Sequence, residues 1–367
     1  MTGCRRVVGV PKAARRRSVR AVLAGAAALL LTSCSSGPEP YAYLADVGAP
    51  SLVVGAEELS ALPTGGAAWK QMRQVADGDL GRPDLSDQDS TTAGRTLAAA
   101  LVFARTGDER YRAEVITRLR AVPGTLDGSR VLSVGRQLAG YVIAADLVGF
   151  RDDGFVDFMA EVRTLRLGGH GRWYALTQTS EDSASNWGAW ALTSRIAISA
   201  YIGDTADVDR AALVFRGFLG DRGAYAQFEP TGEFNPSWVC GDVDRWVPIN
   251  PGGCRGRSGA IVEEVSRAAG DYPAVDDVSR GYLWESLGAA ALSAELLSRQ
   301  GYPDVFEWSD QALLRAAEFA QGNGGYPPPY SVNQYIPWSI NKAYGVDLGP
   351  VAAAGFGRQF GYTDWLP

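Results

Sequence analysis

A single histidine and four cysteines stand in 367 residues. With one imidazole, His170, and no run of acids at a calcium-loop spacing, the chain carries no recognisable metal-binding set, so no metal or other cofactor is expected. Acidic residues are missing altogether from residues 1–33, where Arg5, Arg6, Lys12, Arg15, Arg16, Arg17 and Arg20 precede the apolar run Ala21 to Leu31. That run is too short to span a bilayer as a permanent helix. A basic stretch, a short apolar stretch and small residues at a cut site make an export signal. Strand signals are scarce throughout, which argues against a sheet-based fold.

The signal ends in Leu31-Thr32-Ser33-Cys34, which resembles a bacterial lipobox, where the cysteine is lipidated and becomes the new N-terminus; an ordinary cleaved signal is the alternative. On the lipobox reading, the protein is extracytoplasmic and held on the outer face of the cell membrane through Cys34 alone. Residues 34–60, small, polar and proline-containing in their first part, are expected as the tether. Residues 61–367 are expected as a single domain, working as a monomer. Taking the seven basic residues of the signal from 35 leaves 28 against 41 acidic residues, a net of −13. Such a surface repels nucleic acid and anionic head groups, so neither is expected as a partner. Cys4 leaves with the signal and Cys34 takes the lipid. Cys240 and Cys254 then remain, flanking a loop-like stretch with Pro248, Pro251, Gly252 and Gly253, and an oxidising compartment favours a disulfide between them.

Helical periodicity is what the chain has in quantity. Apolar residues recur at three- and four-residue spacing over 97–104, 115–122, 138–147, 155–162, 187–201, 211–219, 287–297 and 312–320, several of these segments being rich in alanine. Between them Gly107, Gly149, Gly203 and Gly301 stand where a helix should stop, each followed by an aspartate able to cap the next helix. Their gaps of 42, 54 and 98 residues suggest a recurring αα-hairpin, with one further hairpin expected near the Cys240 to Cys254 loop. The fold class is therefore all-α: an αα-hairpin solenoid closing into an incomplete α/α toroid, or barrel, with a plain bundle as the alternative. The long loops, 168–186, 223–276 and 321–337, hold many of the aromatic residues, among them Trp173, Tyr174, Tyr225, Phe228, Phe234, Trp238, Trp246, Tyr272, Tyr326, Tyr330 and Tyr335. Rings with a polar edge on long loops suit sugar binding; packing the loops down is the other use for them.

Three segments taken together resemble one family. They are Ser185-Asn-Trp-Gly-Ala-Trp190 running to Ala200-Tyr-Ile-Gly-Asp204; Tyr282-Leu-Trp-Glu-Ser-Leu-Gly-Ala289 running to Gly301-Tyr-Pro-Asp-Val-Phe-Glu-Trp308 and on to Arg315; and Pro337-Trp-Ser-Ile-Asn-Lys-Ala-Tyr-Gly345 closing with Gly361-Tyr-Thr-Asp-Trp365. In order and spacing over about residues 90 to 367, the chain resembles the alginate lyase family of polysaccharide lyases, helical toroids that cut uronic-acid polymers by β-elimination. The resemblance implies an acidic, alginate- or glucuronan-like polysaccharide as substrate. By that resemblance Asn341 and Tyr344, spaced as a helical i, i+3 pair, would border the sugar site, or else simply pack the last helix; Trp187, Trp238, Trp284, Tyr335 and Trp338 are expected as further substrate-binding residues.

β-Elimination removes the C5 proton of a uronate, so the neighbouring carboxylate must first be neutralised; a base then takes the proton and an acid protonates the leaving oxygen. Asn186, at the mouth of a helix, is the candidate neutraliser, or else a plain helix cap. Tyr282 is the candidate acid and base, with Arg280 the cation that would activate its phenol, or else a half-buried ring on a helix face. His170, between glycines on a loop, is a candidate base. The chain departs from the family where Ser180-Glu-Asp-Ser-Ala-Ser185 replaces a segment in which many members carry histidine and arginine, and where Lys342 replaces a histidine. An acidic chain also needs arginines such as Arg172, Arg245, Arg255, Arg257 and Arg280 in the groove to hold a polyanion. Two other functions stay open: a glycoside hydrolase using two of Glu181, Asp182, Glu229, Glu233 and Glu285, and a surface lipoprotein that binds glycan without cutting it.

Overall fold

The computed structural model describes residues 51–168, 175–232, 234–267, 270–323, 325, 333–348, 352–357 and 360–367. Cys34, the signal, His170, Arg172, Trp173, Tyr174, Glu233, Tyr326 and Tyr330 lie outside the described residues. Contacts divide the chain into Met1–Gly37 and Pro38–Pro367, and everything below concerns the second unit.

Among the described residues the chain forms fourteen α-helices and no strand, only isolated bridges. They are α1 (Ala56–Ala61), α2 (Gly66–Asp77), α3 (Thr92–Thr106), α4 (Glu109–Ala121), α5 (Val131–Gly135), α6 (Leu138–Leu147), α7 (Asp153–Val162), α8 (Leu176–Asp182), α9 (Asn186–Ile202), α10 (Thr205–Phe218), α11 (Val262–Ser266), α12 (Asp277–Ser298), α13 (Trp308–Gly322) and α14 (Tyr335–Tyr344). No described helix is long and apolar enough to cross a membrane.

The glycine punctuation expected from the sequence is where the chain turns. Gly107, Gly149, Gly203 and Gly301 have φ of 71°, 62°, 78° and 98°, the left-handed region in which a Cβ is costly. Asp108, Asp152 and Asp204 then cap α4, α7 and α10, accepting from Arg110 N, Phe155 N and Asp207 N. The fourth hairpin is made differently: Asp304 caps nothing, and Ser309, Asp310 and Gln311 make a left-handed turn before α13 settles into a right-handed helix.

Burial separates the helices into two layers. Every residue of α6 is buried, as are most of α3, α9 and α12. Helices apolar all round belong inside. By contrast α4 buries only Tyr111, Val115 and Leu119, and α7 only Phe155, Met159 and Val162, each a single stripe. The inner helices pack in series, α3 on α6, α6 on α9 and α9 on α12, with α4, α7, α10 and α13 laid outside them. Small residues such as Ala98, Ala99, Ala144, Ala145, Ala289 and Ala290 let the inner helices approach closely.

Two expectations need correcting. Residues 51–60 are not tether: Leu52, Val53 and Val54 are buried, Leu52 N donates to Asp146 Oδ2 (3.0 Å), and α1 follows. An apolar triplet gains more from the core than a linker gains in freedom. The further hairpin near Cys240 to Cys254 is also absent among the described residues; those of 219–276 form two 3-10 turns, Pro236–Trp238 and Val243–Arg245, and the short α11. Pro236, Pro248, Pro251 and Pro273, with many glycines, forbid a long helix there. The expected disulfide Cys240–Cys254 is formed. Beside it Asn250 donates to the carbonyls of Trp238 and Arg257 and accepts from Cys240 N, so its amide does the work of a missing backbone ladder.

The ends of the unit meet. Arg299 pairs with both oxygens of Glu58 (2.8 and 2.9 Å). Trp365 donates to the Pro63 carbonyl (2.8 Å) and packs on Trp69, ring centroids 5.4 Å apart.

Candidate active site

The side chains that converge come from the starts of α9 and α12 and from α11. Ser185, in an extended conformation, caps α9 by accepting from Trp187 N, so Asn186 is the first helical residue and not the cap. Gly188 permits this start: a Cβ there would sit 1.8 Å from the Ser183 carbonyl oxygen. Helix α12 is capped by Asp276, which accepts from Ser279 N (2.8 Å). One helical turn later it presents Tyr282, Glu285 and Ser286 at i, i+3 and i+4, a single face. Helix α11 lies against α12 and carries two acids. Glu263 accepts from the main chain and hydroxyl of Thr231, pinning the preceding loop.

Glu264, wholly buried, is the hub. It accepts from Asn186 N, from Asn186 Nδ2 (3.4 Å) and from Ser286 Oγ (3.3 Å), and pairs with Arg267 Nε (3.0 Å). Burial pushes its carboxyl up to about 7, with Glu263 adding to the rise, while Arg267 and the Asn186 hydrogen bonds pull it down. The Arg267 guanidinium then stacks 4.4 Å from the centre of the half-buried Tyr282 ring. Asn186, Glu264, Arg267 and Tyr282 thus form an unbroken string from α9 to α12. Behind it, Glu285 accepts from Arg136 Nη2 (2.9 Å) and Trp190 Nε1 (3.1 Å).

Asn186 and Tyr282 are therefore brought together, but through residues the sequence reading passed over. The cation beside Tyr282 is Arg267; Arg280, expected in that place, pairs with Asp277. Asn341 and Tyr344 lie elsewhere. Asn341 Oδ1 accepts from Leu348 N (3.1 Å), and the Tyr344 hydroxyl donates to the Phe306 carbonyl (2.7 Å). Lys342 between them donates to the carbonyls of Thr363 and Leu366 and lines a cavity with Phe306 and Glu295. Glu295 is about 20 Å along α12 from Tyr282 at 1.5 Å per residue, so this cluster fastens the C-terminal segment at the far end of the helix.

Most of the expected sugar-binding rings are packed away. Trp238 is fully buried, edge-on to Tyr272 and Phe319, with its N–H on the Gly270 carbonyl. Trp284 is buried with its N–H on the Gly325 carbonyl, and Tyr335 is buried edge-on to Phe360. Trp338 is half-buried, donating to the Ala352 carbonyl. Trp187 alone of that group adjoins Asn186, and it is half-buried. Phe234 on Trp246 and Tyr225 on Phe228 likewise pair within the loops. A loop without regular structure builds its own small core, and aromatic rings supply it. Arg257 is spent on the Ser237 and Val239 carbonyls, whereas Arg245 and Arg255 stay exposed. Among the expected hydrolase acids, Glu181 is held by Arg195 and Arg210 (2.9 and 2.6 Å), and Glu285 by Arg136 and Trp190.

Glu264 and Arg267 had a signal in the sequence. In Ala260-Ile-Val-Glu-Glu-Val-Ser-Arg267 two acids interrupt an apolar run with an arginine three residues on. Acids set among core residues are rarely there without a partner. The chain matches no family model and no curated protein.

Proposed function

We propose that the chain is a polysaccharide lyase that cleaves a uronic-acid-containing polysaccharide, alginate- or glucuronan-like, by β-elimination on an α/α toroid, and that it acts outside the cell, anchored through Cys34. The observation that carries this reading is the string from Asn186 through Glu264 and Arg267 to Tyr282. It sets an amide at a helix mouth, suited to a substrate carboxyl, beside a phenol with a guanidinium against its ring. Asn186 holds the carboxyl in its neutral form; Tyr282 takes the C5 proton and returns one to the leaving oxygen as the C4–O bond breaks and C4=C5 forms. The four hairpins, the pairing of α1 with Arg299 at the end of α12 and the contacts joining Pro63 and α2 to the C-terminal segment support the toroid. One observation favours a second reading, a glycoside hydrolase: a carboxyl raised to about 7, as Glu264 is, suits a general acid. Its complete burial, three hydrogen-bond donors and ion pair with Arg267 suit that role less well.

The test is an absorbance screen against alginate, glucuronan, hyaluronan and pectate, with Tyr282→Phe beside the wild type. A lyase gives an unsaturated, near-ultraviolet-absorbing end without adding water; the variant folds and gives none. New reducing ends without the chromophore would indicate the hydrolase, and retained turnover in Tyr282→Phe would remove that phenol from the mechanism.

A further inference from the structure

We propose that Glu264 is a positioning residue for Asn186: by holding the Asn186 main-chain N–H and one side-chain N–H, it fixes the amide so that its Oδ1 edge is the one a ligand meets. Asn186 Oδ1 is buried and has no hydrogen-bond partner in the structure. Leaving such a buried acceptor unmatched is costly, so the site asks for a donor. On the lyase reading, on which the identity of the ligand rests, that donor is a substrate carboxyl in its acid form. The amide edge offers one acceptor and its remaining N–H; a carboxylic acid offers one donor and one acceptor, and the two close a ring of two hydrogen bonds. A bare carboxylate offers acceptors only. Glu264 thereby makes Asn186 a selector for the neutral carboxyl, the state from which the C5 proton is most readily lost.

The hold is sensitive to what else faces Glu264. Glu263 and Arg267 come from α11 and the turn after it, Asn186 from α9, and Ser286, Glu285 and Tyr282 from α12; the Pro236–Trp238 turn packed on α11 brings no titratable group. Glu285 is occupied by Arg136 and Trp190. Glu264 is thus the group next to Asn186 whose charge changes within the range of a neutral-pH titration, near 7.

The test uses the full chain labelled with ¹³C and ¹⁵N, following the side-chain amide pair of Asn186, assigned by its loss in Asn186→Ser. The expected result is that the pair shifts with pH at the same midpoint as the Glu264 carboxyl ¹³C, and that Glu264→Gln abolishes the shift. An Asn186 pair indifferent to pH between about 5 and 9, or one that titrates equally in Glu264→Gln, overturns the proposal. Should Glu264→Gln not fold, the wild-type comparison decides alone, since unequal midpoints overturn it as well. No substrate enters this measurement, so its failure leaves the lyase reading standing. Conversely, absence of unsaturated product from every polymer removes that reading and leaves the hold on Asn186 tested by itself. Where turnover is found, Glu264→Gln lowers kcat by about 100-fold with KM little changed, the signature of a misplaced group and not of lost binding.

Discussion

At Glu264 three hydrogen-bond donors and the Arg267 ion pair act against complete burial. Burial wins, and the carboxyl is pushed from 4.5 up to about 7. A group whose folded value is raised binds its proton in the folded chain where the unfolded chain has released it. Its contribution is therefore present below pH 4.5 and lost as pH rises toward 7. At about 1.4 kcal/mol per unit, up to about 3 kcal/mol of stability disappears across that window. Denaturant unfolding at a series of pH values is expected to show this fall in the wild type and not in Glu264→Gln; parallel curves would mean that the carboxyl does not titrate there. Asp207 runs the other way: burial raises it, but the hydrogen bonds from Arg195 and Ser199 outweigh burial and hold it low. Its contribution goes only in acid. Asp207 accepts from Arg195, Arg163 and Ser199 at once (2.6, 3.0 and 2.6 Å), so Asp207→Asn leaves the buried Arg195 with Glu181 as its remaining carboxylate partner. That is expected to cost about 1–3 kcal/mol by chemical denaturation; no measurable loss would mean that the network does not hold α9 to α10.

Two glycines separate turn geometry from close packing at the scale of the helices. At Gly203 nothing stands within 4 Å of an added Cβ, and Gly203→Ala is expected to cost only the left-handed conformation, about 1 kcal/mol. At Gly188 the Ser183 carbonyl leaves no room, so Gly188→Ala must lift the start of α9 and with it Asn186. Its loss of stability is expected to be several times larger, and equal melting temperatures for the two variants would contradict the packing described here. The αα-hairpins were legible because a glycine stop followed by an aspartate cap is local chemistry, written within a few residues. The 219–276 loop was not legible in the same way. Its order rests on Asn250, Glu263 and a disulfide, contacts whose spacing obeys no helical period, and the 98-residue gap between Gly203 and Gly301 invited a hairpin that the prolines forbid. The site was half legible. Asn186 and Tyr282 stand in recognisable segments, whereas Arg267 reaches Tyr282 only through the packing of α11 on α12.

At the scale of residues 51–367, contacts between the first and last described stretches hold the hairpin series together. Trp365 does much of this, with its ring against Trp69 and its N–H on Pro63. Trp365→Ala is expected to cost about 3–5 kcal/mol and to loosen α1 and α2 first, seen as faster amide exchange there than in α9; uniform loosening would argue that the ends are not a separate joint. The same architecture explains why the aromatic loops misled: most of their described rings are interior, and the buried polar string lies instead where α9, α11 and α12 begin or end beside one another. Whether that meeting point is an active site is decided most directly by recording near-ultraviolet absorbance as the purified chain acts on alginate, glucuronan, hyaluronan and pectate. At least one polymer is expected to yield the unsaturated chromophore with wild type and none with Tyr282→Phe; a flat trace with all four, or equal traces from the two proteins, would contradict the account.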